Sequence, residues 1–496
     1  MRYIGLILLI MLFGCKNRID QERPNVILFV VDDLGWTDLS SYGSDLYQTP
    51  NVDNLVANGV KFTNAYASCT VCSPSRASLM TGKYPARLHC TDWISGHQKP
   101  FAKMAVPDWT EQVNLEEVTL AEALKAKGYR TIHLGKWHLG ESEELWPEHQ
   151  GFDINIGGWS KGAPQKKGNG NGYFSPYANP RLENGPKGEY LTERLTDEAL
   201  DYLENTKDSE IPFFMNFWFY NVHTPLQAKE EKVEKYRELI QPEANHKNPT
   251  YAAMIEHMND AVGEIIQKLK QQDKLDNTII IFTSDNGGLI GNYGFREKVT
   301  SNILLRSGKG DMYEGGVRVP FVVQWLNKIP KDKIIEEPVM SIDIYPTVLG
   351  LINSRSSKKE NKEIDGIDFS EMLLQDVKVD RSSIFWHYPH YHLEGAKPHS
   401  AIRKGDWKLI EIFEKDTLEL YNLKDDIGET TNLINENPLK AKELLLDLNI
   451  WRAEVNAQIP KPNTNFNPDF EEVYKKGKWL TKSDTEFLEH LKSTSN

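Results

Sequence analysis

The chain has 496 residues and a net charge of −13, a size that predicts one large domain with a smaller one attached rather than three equal domains. The acidic balance argues against nucleic acid as a partner, although local positive clusters could still bind a polyanionic substrate. An aromatic content of 10% is compatible with sugar-stacking surfaces but is not diagnostic of them.

The N-terminus has the pattern of a targeting segment. The apolar run of residues 4–13 follows a basic residue and is too short to span a bilayer. It leads into Cys15 through a sequence that resembles a bacterial lipobox, in which this cysteine is lipidated. We expect a signal peptide over 1–14 and a lipidated tether over 15–23, anchoring the protein by lipid in the bacterial envelope at the outer membrane or facing the periplasm. Because Phe13 is unusual inside a lipobox, ordinary secretion stays open.

Two adjacent carboxylates follow the first predicted strand. Asn25 to Val31 is a continuous apolar run, the pattern of a fully buried parallel strand, and Asp32-Asp33 come next. Buried carboxylates are costly without compensating positive charge, and a divalent cation such as Ca²⁺ or Mg²⁺ would provide it. A solvated turn is the alternative for this pair taken alone.

Strands and helices alternate along most of the chain, which predicts a doubly wound α/β sheet. The other predicted elements are a helix from Pro50 to Gly59, a strand from Val60 to Tyr66, a helix after Cys72 with Pro74 in its first position, a helix opened by a Thr119–Glu122 capping box and ended by Gly128, a strand from Arg130 to Leu134, an irregular insertion over 157–190 at the rim of the pocket, a helix from Thr196 to Glu204, a strand from Pro212 to Tyr220, a helix from Tyr251 to Leu275, a strand from Thr278 to Thr283 and a helix from Asn437 to Val455.

Candidate functional groups follow the predicted strands, where open α/β sheets bind their ligands. Lys136 and His138 lie between glycines after the Arg130 strand, and His223 follows the Pro212 strand. Asp285 and Asn286 follow the Thr278 strand and could supply a second pair of oxygen ligands.

The stretch Cys72-Ser73-Pro74-Ser75-Arg76, followed by Leu79-Met80-Thr81-Gly82, carries the strongest signal. A cysteine at a helix start lies near free N–H groups and the positive end of the helix dipole, and Arg76 follows one turn later. The cysteine, the helix N-terminus and Arg76 are therefore expected to lie around one anionic group. The stretch resembles the signature of type I sulfatases, in the alkaline phosphatase superfamily. The resemblance implies that a maturation enzyme, a formylglycine-generating partner, converts Cys72 to formylglycine.

Further blocks resemble the same family in the same chain order, over roughly residues 25–425. They include Gly135-Lys136-Trp137-His138, Gly308-Lys309-Gly310 and the block from Glu314 to Pro320. The resemblance implies that the catalytic residues are Cys72, Arg76, Lys136, His138, His223 and Lys309. It also implies that one Ca²⁺ per chain is held by Asp32, Asp33, Cys72, Asp285 and Asn286. Glu314 and Arg318 are expected to brace their loop rather than touch substrate.

The implied reaction is hydrolysis of a sulfate ester. A hydroxyl of the formylglycine hydrate attacks sulfur, Lys136 and Lys309 stabilise the sulfate oxygens, and His223 protonates the departing oxygen. His138 then takes the proton whose loss expels sulfate and restores the aldehyde. If Cys15 and Cys72 are modified in this way, Cys69 and Cys90 remain, and whether they pair stays open.

The resemblance further implies a mixed, mostly parallel sheet flanked by helices and a smaller C-terminal α+β subdomain. We expect a catalytic domain over 24–379 and a subdomain with tail over 380–496. Ser400 to Ile412 and Thr417 to Asn422 have the pattern of a β-ribbon within the subdomain.

The substrate is the least determined part of the prediction. A lipid-anchored sulfatase would act on sulfated polysaccharide fragments, with algal (ulvan or carrageenan) and glycosaminoglycan-like substrates all open. Candidate sugar-binding residues are Asp92, Trp93, His97, His387 and His390, for which structural roles are equally compatible with the sequence. Two other functions stay open: a phosphoester or phosphonate hydrolase of the same superfamily, and a non-catalytic lipoprotein that binds sulfated glycans.

Overall fold

A computed structural model describes residues 23–96, 99–166, 168–291, 298–352, 364–392 and 395–470. The predicted signal peptide, the lipidation site Cys15 and the candidate sugar-binding residue His97 lie outside these ranges and stay predictions. Within them, no helix combines the length and apolar character needed to cross a membrane.

The secondary structure alternates through the first three quarters of the chain and then becomes mainly β. The strands are β1 (Asn25–Val31), β2 (Val60–Phe62), β3 (Ala65–Tyr66), β4 (Met104–Ala105), β5 (Arg130–Gly135), β6 (Ile154–Ile156), β7 (Phe213–Trp218), β8 (Thr278–Ser284), β9 (Phe321–Gln324), β10 (Lys333–Ile335), β11 (Val339–Met340), β12 (Ile384–Tyr388), β13 (His399–Lys404), β14 (Trp407–Ile412), β15 (Thr417–Asn422) and β16 (Lys461–Pro462). The α-helices are α1 (Pro50–Ala57), α2 (Cys72–Thr81), α3 (Pro85–Leu88), α4 (Leu120–Lys125), α5 (Leu191–Asn205), α6 (Glu230–Leu239), α7 (Pro249–Gln271), α8 (Glu314–Val317), α9 (Ile344–Leu351), α10 (Ser370–Gln375) and α11 (Pro438–Glu454).

An eight-stranded mixed sheet forms the centre, in the order β10-β2-β9-β8-β1-β7-β5-β6. All neighbours are parallel except β9, which is antiparallel to both β2 and β8. Alternate residues of β1 belong to two different apolar clusters, Ile27 and Phe29 on one face and Val26 and Leu28 on the other. Both faces are therefore covered, which explains why β1 is apolar at nearly every position and confirms the predicted α/β class.

A smaller antiparallel sheet, β12-β13-β14-β15, follows. Helix α11 packs on β13 and β14, and Trp386 of β12 belongs to an apolar cluster that includes Tyr66 and Val71 from the first part of the chain. This confirms the predicted C-terminal α+β subdomain. The boundary at 379/380 stays a prediction, although β12 begins shortly after it.

Two local predictions were wrong in detail. The predicted strand from Val60 to Tyr66 is broken after Phe62, because β2 pairs in the large sheet whereas β3 pairs with β11 in a separate two-stranded sheet. Helix α2 begins at Cys72 itself, so that Pro74 occupies its third position rather than its first.

Candidate active site

Polar groups that follow four neighbouring strands meet at one edge of the large sheet. β8, β1, β7 and β5 are adjacent and parallel, so their carboxyl ends open on the same side. Asp32 follows β1, Lys136 follows β5, His223 lies in the loop after β7, and Asp285 follows β8. The structure therefore brings together groups that are far apart in the sequence.

Cys72, the first residue of α2, joins this group. Ser75 Oγ stabilises the loop before it, because this hydroxyl bonds both the N–H and the carbonyl of Cys69, each at 3.1 Å. The Cys72 Sγ lies 3.5 Å from Lys309 Nζ, and Sγ is one of four possible ligand atoms that all lie within 4.8 Å of one another. The others belong to Asp32, Asp33 and His223. Cys69, Cys72 and Cys90 are all free thiols in this structure.

Three cations pair with three carboxylates in this cluster, and all six residues are buried. The pairs and their N···O distances are Lys136–Asp32 (2.8 Å), Lys309–Asp33 (2.7 Å) and Arg76–Asp285 (2.8 Å). These three positive and three negative charges cancel. A divalent cation would make the cluster net positive, which favours an anionic substrate.

The two adjacent carboxylates have opposite pKa shifts. Burial raises the pKa of Asp32 well above its usual value, even though Lys136 acts in the other direction. Burial also acts to raise the pKa of Asp33, but Lys309 and His223 outweigh it and hold the pKa of that carboxyl well below its usual range. Asp33 is therefore the more stable anion of the two.

Two histidines, His138 and His223, line one cavity, and each has one ring nitrogen bonded to a backbone carbonyl. Burial and the nearby Lys136 lower the pKa of His138 well below its usual value. Its Nε2 bonds the Ile94 carbonyl, which leaves Nδ1 as the unprotonated nitrogen, without a hydrogen-bond partner among the described residues. Burial likewise lowers the pKa of His223, whose Nδ1 lies 2.6 Å from the Thr224 carbonyl. Each ring thus has one nitrogen engaged with the backbone and one available for chemistry.

The oxygen donors fit a divalent cation. Asn286 Nδ2 donates to Asp33 Oδ1 at 2.9 Å, but Asn286 Oδ1 is buried with no hydrogen-bond partner in the described part of the chain. A buried amide oxygen without a partner is costly. Together with the carboxylates of Asp32, Asp33 and Asp285 it makes a set of hard donors of the kind that bind Ca²⁺ or Mg²⁺.

A cavity of about 340 Å³ opens from this cluster to the surface. Its wall includes Cys72, His138, His223 and Lys309, together with Trp93. Residues 160–163 and Gln165 also line it, so the irregular segment 157–190 forms part of the rim, as predicted.

Of the other predicted sugar-binding residues, three lie away from this cavity. Asp92 is buried and accepts a hydrogen bond from the Tyr388 hydroxyl at 2.8 Å. His387 is buried, with Nδ1 bonded to Ser400 Oγ and Nε2 to the Gln458 carbonyl, so its ring has no free nitrogen for a sugar. The ring of His390 packs against Trp109, and its Nε2 bonds Thr91 Oγ1. The prediction that His387 and His390 contact substrate is corrected accordingly: His387 bonds groups within the C-terminal subdomain, whereas His390 contacts Thr91 and Trp109 from the first part of the chain.

His392 is the histidine of this run that lines the cavity. It lies beyond the end of β12, and its ring packs on the backbone of Gly310, next to Lys309: a side chain at position 310 would begin 1.8 Å from His392 Nδ1. His392 was not among the predicted site residues, and neither was Glu141, which lines the cavity directly after the Gly135–Gly140 block. Only the adjacency of Glu141 to that block could have indicated its position.

Two family models match the chain. One, described as "Sulfatase", matches residues 24–354. The other, "N-sulphoglucosamine sulphohydrolase, C-terminal", matches residues 308–454.

Individual relatives agree with these matches. The chain is 32% identical to a sulfatase of Formosa agariphila, over 91% of this chain and 93% of the relative. It is also 32% identical to human arylsulfatase A, over 88% and 89% respectively. Among solved structures, Ps i-CgsB in complex with a k-i-k-neocarrahexaose superposes with a TM-score of 0.74 at 27% identity, covering 91% of this chain and 96% of that one.

Proposed function

Because this chain belongs to the sulfatase family and is a sulfuric ester hydrolase, we propose that it removes sulfate from sulfated carbohydrates, using formylglycine at Cys72 and a calcium ion. The observation that carries the proposal is the convergence of Cys72 Sγ, Lys309 Nζ and the buried oxygen donors at the base of one cavity. An anionic ester that enters this cavity meets a thiol position, a cation and a metal-type donor set at once.

The modification of Cys72 is supported by its sequence context and by its place at the start of α2. Formylglycine, once hydrated, supplies two hydroxyl groups on one carbon, of which one can attack sulfur while the other later gives up the proton that restores the aldehyde. The mass of a peptide spanning residues 72–76 tests the modification. Replacement of the thiol sulfur by oxygen, with loss of two hydrogens, is the expected change, and an unmodified thiol in fully active enzyme would contradict it.

The metal would be held by Asp32, Asp33, Asp285 and Asn286, with the residue at position 72 beside them. A divalent cation there would neutralise negative charge that develops on the sulfate oxygens. Dialysis against a chelator should abolish sulfate release, and Ca²⁺ should restore it. Full activity after removal of the metal, verified by elemental analysis, would refute the assignment.

The remaining roles follow from the protein's own groups. Lys309 and Lys136 supply positive charge next to the reacting centre. The Nδ1 of His138, unprotonated at neutral pH, suits a base. His223 lines the cavity and is assigned as the acid for the departing oxygen. Asp33, 3.7 Å from its Nε2, favours the protonated ring, but burial and Lys309 outweigh it and lower the pKa of His223, so a proton on this ring is readily released.

A carbohydrate substrate is supported by the cavity wall and by one structural neighbour. Trp93 offers an aromatic face on which the apolar side of a sugar ring can pack, and Ps i-CgsB was solved with a bound neocarrahexaose. Sulfate release from defined sulfated oligosaccharides tests this, with phosphate and phosphonate esters as comparison substrates. Turnover of the phosphorus esters alone would overturn it.

We also propose that the protein is anchored by lipid in the cell envelope, on the basis of the N-terminal sequence pattern. Metabolic labelling with a palmitate analogue should mark the wild type and leave Cys15→Ala unlabelled. Equal labelling of the two would contradict the anchor.

A further inference from the structure

Tyr173 connects the irregular segment 157–190 to the loop that carries His223. Its hydroxyl donates to the backbone carbonyls of Tyr220, at 2.5 Å, and of His223, at 2.8 Å. The side chain is fully buried. One hydroxyl therefore ties together two carbonyls on either side of the turn from which the His223 imidazole projects.

The position of Tyr173 is itself fixed on two sides. Its ring stacks on Tyr190, with the ring centroids 5.7 Å apart. Its backbone N–H donates to Gln227 Oε1 at 3.0 Å, and the Tyr190 hydroxyl donates to the Gln227 carbonyl at 2.8 Å. The hydroxyl of Tyr173 is thus a rigid reference point for the loop.

The imidazole of His223 follows its own loop. Its Nδ1 bonds the carbonyl of the next residue, Thr224, so the ring orientation depends on the backbone of this turn. A backbone displacement here would move Nε2 away from the departing oxygen, and a shift of about 1 Å in a reacting group can cost roughly 100-fold in rate.

The same segment also braces the other histidine. The backbone N–H of His138 donates to the Trp159 carbonyl at 3.0 Å. The backbone of Gly162 lies against the His138 ring, so that a side chain at position 162 would come within 2.4 Å of it. Segment 157–190 thus contacts both groups assigned to proton transfer.

We propose that Tyr173 is a positioning residue for His223, and that its hydroxyl holds the imidazole in the orientation needed to protonate the leaving group. The proposal rests on the acid role of His223 proposed above. Tyr173 touches neither the carboxylates nor the cations in the contacts described for it, so its effect is on leaving-group protonation rather than on sulfate binding.

The test compares two aryl sulfates, 4-nitrophenyl sulfate with a good leaving group and phenyl sulfate with a poorer one. Because an acid matters more when the leaving group is poor, Tyr173→Phe should lower kcat for phenyl sulfate about 10-fold or more and kcat for 4-nitrophenyl sulfate by less than about 3-fold. KM should stay unchanged for both. His223→Ala should show the same selectivity with a larger effect.

Tyr177→Phe is the matched control, since Tyr177 is a buried tyrosine of the same segment whose hydroxyl bonds Glu189 Oε2 at 2.8 Å instead. It should lower neither rate. In the background of His223→Ala, Tyr173→Phe should cause no additional loss, because the two residues act as one unit. Should Tyr173→Phe fail to fold, Gln227→Ala removes the half-buried amide that holds the Tyr173 backbone and should give a smaller loss with the same selectivity.

Equal losses on both aryl sulfates, or an additive loss in the double variant, would overturn the proposal. Loss of selectivity in His223→Ala itself would remove the acid role and overturn the proposal with it. Turnover of aryl sulfates without release from any sulfated carbohydrate would refute only the proposed substrate class, because the aryl pair would still test Tyr173.

Discussion

Lys408 of β14 joins the C-terminal sheet to the loop that carries Lys309, and its removal should be strongly destabilising. Its Nζ lies 2.8 Å from Glu314 Oε1 and 3.0 Å from Glu429 Oε1, and all three side chains are fully buried. Lys408→Met would leave two buried carboxylates without this partner. Breaking a buried ion pair in this way costs about 3–5 kcal/mol, and we expect a decrease of that size in the free energy of unfolding at pH 8.

The stability deficit of Lys408→Met should also depend on pH, in a direction that the structure predicts. Burial and the charge of Glu314 raise the pKa of Glu429 to about 7, although Lys408 acts to lower it. Because this pKa is higher in the folded than in the unfolded protein, the folded state binds more protons between the two values, and the contribution of Glu429 to stability falls as the pH rises toward 7. Without Lys408, protonation relieves Glu429 at acidic pH, whereas Glu314 keeps Arg318 as a partner at 2.7 Å. The deficit of the variant should therefore shrink by about 1 kcal/mol between pH 8 and pH 5, because only about one pH unit separates the pKa of Glu429 from pH 8.

Lys404→Met is the matched control, because Lys404 also contacts two carboxylates, Glu443 at 2.9 Å and Asp447 at 2.8 Å, but is 37% exposed. Exposed pairs contribute about 1 kcal/mol or less. Denaturant unfolding followed by tryptophan fluorescence at both pH values measures all three proteins. A Lys408→Met variant no less stable than Lys404→Met, or one whose deficit grows at pH 5, would refute the reasoning.

Two further predictions concern the active-site loop and a helix start. Gly310→Ala should lower kcat/KM about 10-fold, since position 310 has φ +88° and the new Cβ would meet the His392 ring. Gly405→Ala is the control, because position 405 has φ +60° with open space around it, and this variant should leave the kinetics unchanged. Equal kinetics of the two variants would contradict the role assigned to the His392 contact. Thr119→Ala removes the acceptor for the Glu122 N–H in the capping box of α4. This variant should lower the free energy of unfolding by about 1–2 kcal/mol without changing kcat. A loss of activity at unchanged stability would count against this purely structural role.

The residues of the proposed metal site could be placed at strand ends because those strands are unmistakable in the sequence. The apolar runs that become β1 and β8 each end in a pair of polar residues, and buried strands in a parallel sheet all open at one edge. That β1 and β8 are direct neighbours could not be predicted, because strand order depends on long-range pairing that leaves no local pattern.

The cavity wall was harder to predict, for a related reason. His387, His390 and His392 belong to one short run of histidines and aromatic residues. His387 lies within β12, and only the course of the chain beyond β12 brings His392 against Gly310 and to the cavity. Tyr173 lies in a segment without helical or alternating periodicity, so nothing in the sequence indicates that its hydroxyl reaches the His223 loop. Such contacts depend on tertiary packing that a local pattern does not encode.

Sulfate release from a panel of defined sulfated oligosaccharides, by wild type and Cys72→Ala side by side in Ca²⁺, tests the central claim most directly. We predict release by the wild type from at least one sulfated carbohydrate and none by Cys72→Ala. Undiminished release by Cys72→Ala, or a wild type with proven formylglycine that releases sulfate from no carbohydrate in the panel while cleaving aryl sulfates, would contradict it.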